Sequence, residues 1–335
     1  MNICAVIPTL NRRDSVIRAV ESALDQTRPP DEIVVVDDGS VDGTSKALTR
    51  RFCSRIELVW QPNRGVGAAR NCGVRLTNAP LIVFLDSDDI WHPQKLEHQC
   101  AGMNDPAIIF CATNWRRDGA ARDAFSDLGL PTVAAELHIP MRRLMNPGGH
   151  ALLTSTWMVR RSSFWKAGGF DESLRVAGDA ALLFQLGCCG RFLVLPEVLA
   201  ESSSIVDEWQ LTNHRDPAYL KEATRNATMI LLALQSEMDG FPDDVRLAYE
   251  RLLTDHLRRD LEYLAMDGRA IVARQRARQL IARSMDTAGT LTALVALVCP
   301  SIIGLRGRIG LSLNAAAKRG PAKKRRSAAM IAVGS

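Results

Sequence analysis

Four short apolar runs, separated by three segments of helical spacing, fall within about 90 residues of the start. That alternation constrains the fold more than any other feature. The apolar runs are Ile3–Pro8, Glu32–Ser40, Ile56–Pro62 and Leu81–Asp89. Each is short, rich in Val, Ile and Leu, and closed by proline or polar residues, which reads as a buried strand. Between them, Arg13–Thr27 places Val16, Ile17, Val20 and Leu24 at helical spacing. The stretch DGTSKALTRRF continues as a second helix, with Asp42 or Thr44 as its cap. Gly65–Thr77 reads as a glycine turn opening a third. Strands that are apolar throughout are covered on both faces, so the expectation is an α/β fold with a mostly parallel central sheet.

Ligands of such sheets bind where the strands end at their carboxyl edge. Three strand ends here carry polar clusters: Thr9, Asn11 and Arg12; Asp37 and Asp38; Asp86, Asp88 and Asp89. The third is the most demanding. Like charges this close repel and each resists desolvation, so a cationic or hydrogen-bond-donating partner is expected. In an extended chain Asp86 and Asp88 fall on the same side. Carboxylate oxygens suit Mg2+ or Mn2+, with phosphates completing the shell. No GxGxxG follows the first strand, where the turn reads PTLNRRD, and no GxxxxGK[ST] occurs, so hydride transfer and a P-loop are excluded.

Five pieces of this sequence carry a family resemblance: VIPTLNR, VVVDDGSVDGT, NRGVGAARNCGV, FLDSDDIWHPQKL and GGFDESL. In this order they resemble the family 2 glycosyltransferases, inverting enzymes of GT-A fold that use nucleotide-sugars. The resemblance runs from about Ile3 to Leu183. It implies that Pro8, Thr9 and Asn11 line a base pocket and that Asp38 holds the nucleobase with Asp37 beside it. It further implies that Arg70 lies against the nucleotide, Asp86 faces the ribose and Asp88 is the metal ligand of a DxD motif, with Asp89 supporting the loop. Asp179, in GGFDESLRVAGDAALLFQL, matches the base that takes the acceptor proton; Gly178 stands where the family usually has Glu. Asp179 also reads as a cap of the following helix. The implied donor is a UDP-sugar, and the implied acceptor a glycan or lipid-linked glycan in surface polysaccharide synthesis. Two other classes stay open: a nucleotide-sugar-binding module without turnover, and a sugar-phosphate nucleotidyltransferase, although the latter wants glycines that PTLNRRD lacks.

The expected organisation is a nucleotide-sugar half over 1–105, an acceptor half over 106–205, a helical extension over 206–286 and an apolar segment with a basic tail over 287–335. Trp91 and Trp157 read as core, and His150 and His214 as loop histidines or contacts to the phosphates or acceptor. The eight cysteines form no CxxC pair and read as reduced core thiols. Net charge is +5, yet Thr287–Ser335 holds eight Lys or Arg and no acid, which leaves the preceding residues at −3. With no secretory pattern at the start, a cytoplasmic protein is expected. The uncharged stretch Thr287–Leu305 followed by RGR and AKRGPAKKRR suits an anionic membrane surface at the inner face of the cell membrane, or a buried terminal helix. Nucleic acid is not expected as a partner.

Overall fold

The four apolar runs form parallel strands β1 (Ile3–Thr9), β2 (Glu32–Asp37), β3 (Glu57–Trp60) and β4 (Leu81–Phe84), in spatial order β3-β2-β1-β4. The computed structural model describes residues 1–128, 133, 135–137, 145–146, 149–150, 152–203, 216–241 and 243–283. Every residue of β1 and β4 is buried, as strands covered on both faces must be. Outermost β3 is half open, and Trp60 is 58% exposed. Helices α1 (Arg13–Leu24), α2 (Thr44–Phe52) and α3 (Val66–Leu76) connect these strands. Asp42 accepts from the Thr44 N–H at 3.0 Å and so satisfies one orphan donor of α2. The close fit of α3 to β1 depends on Gly73, where a Cβ would stand 2.4 Å from Val6 Cγ1.

The sheet then changes character. Short β5 (Asp89–Trp91) and helix α4 (Lys95–Gly102) precede β6 (Ile108–Arg117) and helix α5 (Ala124–Leu128). Next come β7 (Ala135–Leu137), a two-residue hairpin of β8 (Met145–Asn146) with β9 (Gly149–His150), and β10 (Trp157–Arg160). Helices α6 (Arg161–Lys166) and α7 (Gly178–Gly187) lead to β11 (Arg191–Ser202). Strand β10 lies antiparallel between β4 and β6, β6 runs parallel to β11, and β5 and β7 pair antiparallel with β11. The nine-stranded sheet is therefore mixed, with its uninterrupted parallel part confined to β3-β2-β1-β4. The expected fourth strand also stops sooner than its sequence implies. It ends at Phe84, and Asp86–Asp89 form a turn closed by Asp89 N–H on Asp86 O at 3.0 Å. An extended run would put Asp86 and Asp88 side by side on one face; the turn gives each carboxylate its own environment.

Downstream helices are α8 (Pro217–Ala233), α9 (Asp243–Met266) and α10 (Ala270–Arg283). Asp216 caps α8, accepting from Ala218 N–H at 2.9 Å ahead of a proline in the first turn. The chain divides into two units between His256 and Leu257, within α9. In the first, Tyr249 donates its hydroxyl to Leu231 O. In the second, Leu257, Leu261 and Leu264 are buried, and Arg276 pairs with buried Asp260 at 2.9 Å. No helix among the described residues is long and apolar enough to cross a membrane. The segment 287–305, the basic tail and His214 lie outside the described residues.

Lys95 is fully buried in α4. Its ammonium donates to Gln99 Oε1 at 2.7 Å and lies 4.3 Å from the centre of the Trp91 ring. Burial pushes its pKa down to about 7 from an ordinary 10.5. Between those values the unfolded chain holds a proton that the folded protein lacks, so raising pH through this window favours the folded state. Urea unfolding of wild type and Lys95→Met from pH 7 to pH 10 is expected to show wild type gaining stability relative to the variant. Parallel curves would contradict a buried, proton-poor lysine.

Candidate functional site

The carboxyl ends of β1, β2 and β4 converge on one edge, because these strands are parallel neighbours in register: Thr9 lies beside Asp37, and Val6 beside Phe84. Pro8 and Thr9 close β1 and are buried. Beyond them, Asn11 takes a left-handed backbone (φ 50°). It is fixed from both sides, its N–H donating to Ser40 Oγ and its Oδ1 accepting from Val41 N–H, each at 2.8 Å. This turn delivers Arg12 to the start of α1 with its side chain only 9% exposed.

Asp37 and Asp38 work in opposite directions. Asp37, fully buried, accepts from Ser40 N–H at 2.8 Å and from the Ser45 hydroxyl, which shapes the loop leading into α2. Asp38 accepts from Gln61 Nε2 at 2.7 Å and from the N–H groups of Arg64 and Gly65 at 2.9 Å. It thereby ties the end of β2 to the glycine turn (Gly65 φ 91°) that starts α3. One turn into α3, Arg70 is buried and reaches Asp86 Oδ1 at 2.5 Å. Its guanidinium also lies 5.0 Å from the centre of the Phe170 ring.

The acidic turn finds its cations here. Arg70 pairs with Asp86, and Arg12 pairs with Asp88. Burial raises the pKa of the Asp88 carboxyl; Arg12 opposes the rise and Asp86 adds to it. Asp89 is buried deeper, and burial with the charges of Asp86 and Asp88 lifts it well above the carboxylate range. Its support is Ser155, whose hydroxyl donates to Asp89 Oδ2 at 2.5 Å and accepts from Asp86 N–H at 3.0 Å. Ser155 O in turn accepts from Trp91 Nε1 at 2.7 Å. So Trp91, expected as core, is buried and also braces the turn. Four buried side-chain polar atoms lack a protein partner among the described residues, and two of them, Thr9 Oγ1 and Arg70 Nε, belong to residues of this edge. A polar ligand would relieve the roughly 1–3 kcal/mol that such an orphan costs.

Asp179 is reached by another route. Asn71 on α3 donates to Phe170 O at 2.8 Å and accepts from Phe170 N–H at 3.0 Å. Gly169 at φ 70° passes so close that a Cβ would stand 2.9 Å from Asn71 Oδ1. Glu172 accepts from Asn71 and Arg75 and pairs with Arg64. The Asn71 bond, opposed by burial and aided by Arg75, holds its carboxyl below the usual range. The turn before α7 is thus bolted to the helix that carries Arg70. Ala177, at φ 65°, takes the N-cap position of α7, and Asp179 lies in the first turn with Oδ1 accepting from Ala180 N–H at 2.8 Å. A Cβ on Gly178 would meet nothing closer than 3.9 Å. His150 stands in β9, and only its backbone is described.

Among the described residues no three His, Cys, Asp or Glu side chains are grouped to hold a metal ion. The donor set at the acidic turn still fits a hard divalent cation. Asp86 and Asp88 offer oxygens alone, and Asp88 is a quarter exposed beside a second carboxylate. Such an ion would draw its remaining ligands from phosphate and water.

Residues 4–168 match the family described as Glycosyl transferase family 2. Among curated relatives, a putative teichuronic acid biosynthesis glycosyltransferase, TuaG, of Bacillus subtilis is 35% identical over 129 residues, 37% of this chain and 51% of that protein. The succinoglycan biosynthesis protein ExoO of Rhizobium meliloti is 30% identical over 203 residues, 58% of each. An uncharacterized glycosyltransferase of Rickettsia bellii is 36% identical over 118 residues, 34% of this chain and 17% of that protein. The chain therefore spans less than two thirds of each of these relatives. Among solved structures, S. aureus TarS 1–349 in complex with UDP-GlcNAc gives a TM-score of 0.64 at 16% identity, covering 95% of this chain and 92% of that one. The mannosyltransferase PcManGT of Pyrobaculum calidifontis, in complex with GDP-Man and Mn2+, gives 0.54 at 18% identity, covering 91% and 87%. At these identities the likeness establishes the GT-A fold.

The sequence does not single out Ser155, which lies 69 positions from Asp86. Ser155→Ala is expected to cost about 1–3 kcal/mol, by removing the acceptor of the Asp86 N–H and one of the donors to the buried Asp89 carboxyl. Chemical unfolding checks this, and an unchanged midpoint would contradict it.

Proposed function

Through residues 4–168 the chain belongs to the family 2 glycosyltransferases, and from that premise we propose that it moves a sugar, with inversion, from a nucleoside diphosphate to an acceptor hydroxyl. The observation that carries the proposal is the edge itself. Two arginine-paired carboxylates and two orphan polar atoms meet at the carboxyl ends of parallel strands. Residues 1–105 serve as the nucleotide-sugar half and 106–205 as the acceptor half. Pro8, Thr9 and Asn11 line the base pocket, with Asp38 on the base and Asp37 beside it. Arg70 lies along the nucleotide and Asp86 faces the ribose.

Asp88 is the residue to hold Mg2+ or Mn2+, which when bound stabilises negative charge on the departing diphosphate. The protein's own part is positional and protic. Arg12 and Arg70 set the charge around the diphosphate. The Asn71–Phe170 link places the α7 turn. Asp179 takes the acceptor hydroxyl proton on a carboxylate oxygen as that hydroxyl attacks the anomeric carbon.

UDP and a UDP-sugar are the favoured ligands, because the TarS complexes hold them. A growing surface glycan or its lipid carrier is the favoured acceptor, because TuaG and ExoO are named for polysaccharide synthesis. The acid-free basic stretch after Thr287 favours work at the anionic inner face of the membrane.

Calorimetry with UDP, GDP and dTDP tests the site. One nucleotide is expected to bind tightly with Mn2+, and weakly without it or in Asp88→Asn. Asp179→Asn is expected to keep that affinity and lose about 10²–10⁴-fold in glycosyl transfer. Binding indifferent to both metal and Asp88 would refute the metal reading, and full transfer by Asp179→Asn would refute the base.

A further inference from the structure

Helix α8 carries none of the residues assigned to transfer, yet one of its side chains holds the turn that leads to Asp179. Asn226 donates from Nδ2 to Val176 O at 3.0 Å, across 50 residues of chain. Val176 is buried, and Ala227, Thr228 and Leu231 bury one side of α8, which packs against α7. The carbonyl that Asn226 holds belongs to the peptide between Val176 and Ala177. Turning that peptide changes the φ of Ala177, which stands at 65°. Alanine disfavours this left-handed region by roughly 5–30-fold, so it persists only where its neighbours impose it. Ala177 O also accepts from Ala181 N–H at 3.0 Å, at the start of α7. The direction of α7, and of Asp179 in its first turn, therefore follows from the same strained residue. The Asn71–Phe170 link fixes the chain upstream; Asn226 fixes it where the strain lies.

We propose, on the reading of Asp179 as the base, that Asn226 is its positioning residue: by holding the Val176 carbonyl it keeps Ala177 left-handed and so sets Asp179 for the acceptor proton. Without that N–H the peptide turns, Ala177 relaxes to negative φ, and the first turn of α7 swings with it. Misplacing a reacting group by about 1 Å costs on the order of 100-fold in rate. Helix α8, which lies outside the residues 4–168 that match the family, thereby has a share in the reaction.

Hydrolysis of UDP-GlcNAc with Mn2+, water standing in as acceptor, reads this through kcat and KM; this is the donor in the TarS complex. Asn226→Leu keeps the side chain's size and removes its donor. Its kcat is expected to fall about 10–100-fold, with KM and UDP affinity unchanged, because the edge formed by β1, β2 and β4 is untouched. Adding Ala177→Gly removes the cost of the left-handed backbone and is expected to restore most of the lost kcat. A role for Asn226 in packing alone predicts no such rescue. Asn226→Asp, of the same shape without the N–H, serves should Asn226→Leu not fold. Crystal structures give a readout that needs no turnover: residue 177 is expected at negative φ in Asn226→Leu and left-handed again in the double variant. An unchanged turn in Asn226→Leu, or a kcat loss that Ala177→Gly leaves in place, would overturn the proposal. Full activity in Asp179→Asn, or none in wild type, would count against the transferase reading instead, and the backbone at residue 177 would still decide for or against Asn226.

Discussion

Two arginines facing two carboxylates are the interaction on which the candidate site depends. Asp86 and Asp88 leave β4 beside a buried Asp89, where unbalanced charge would not be tolerated. Arg70 comes from α3 and Arg12 from the turn after β1, so both counter-charges reach the edge only because β1 lies between β2 and β4. The parallel part of the sheet is what makes the electrostatics possible. Its order also sets Asp37 and Asp38 alongside, where they brace the loops into α2 and α3.

The antiparallel insertion of β10 supplies the second constraint. It runs against β4, and the 3-10 turn just before it carries Ser155 to the backbone of the acidic turn. After β10, the chain returns through Phe164 and Phe170, which pack on Phe84 of β4, and Asn71 fixes Phe170 by its backbone. One aromatic cluster thus joins the strand that leads to Asp86, the helix that carries Arg70 and the turn that precedes Asp179. The placement of the proposed base and that of the nucleotide edge share the same core.

Much of the first ninety residues was legible in the sequence, because strand and helix periods, glycine turns and the Asp42 cap are local signals. The three polar strand ends were legible for the same reason, each following its own apolar run. What escaped is non-local. The Arg12–Asp88 and Arg70–Asp86 pairs and the Ser155 bridge join residues far apart in the chain, and no period encodes them. Lys95 looks like an ordinary helix lysine in QKLEHQ, and only the packing of Trp91 and Gln99 around it shows that it is buried. The antiparallel β10 was hidden too, because WMVR is too short to announce its direction.

The measurement closest to the central claim is a crystal structure of the chain grown with UDP and Mn2+, with anomalous scattering recorded at the manganese edge. The account predicts a manganese peak joined to Asp88 and to the diphosphate, with the nucleotide lying along Arg70. A nucleotide bound away from this edge, or bound here with no manganese peak at Asp88, would contradict it.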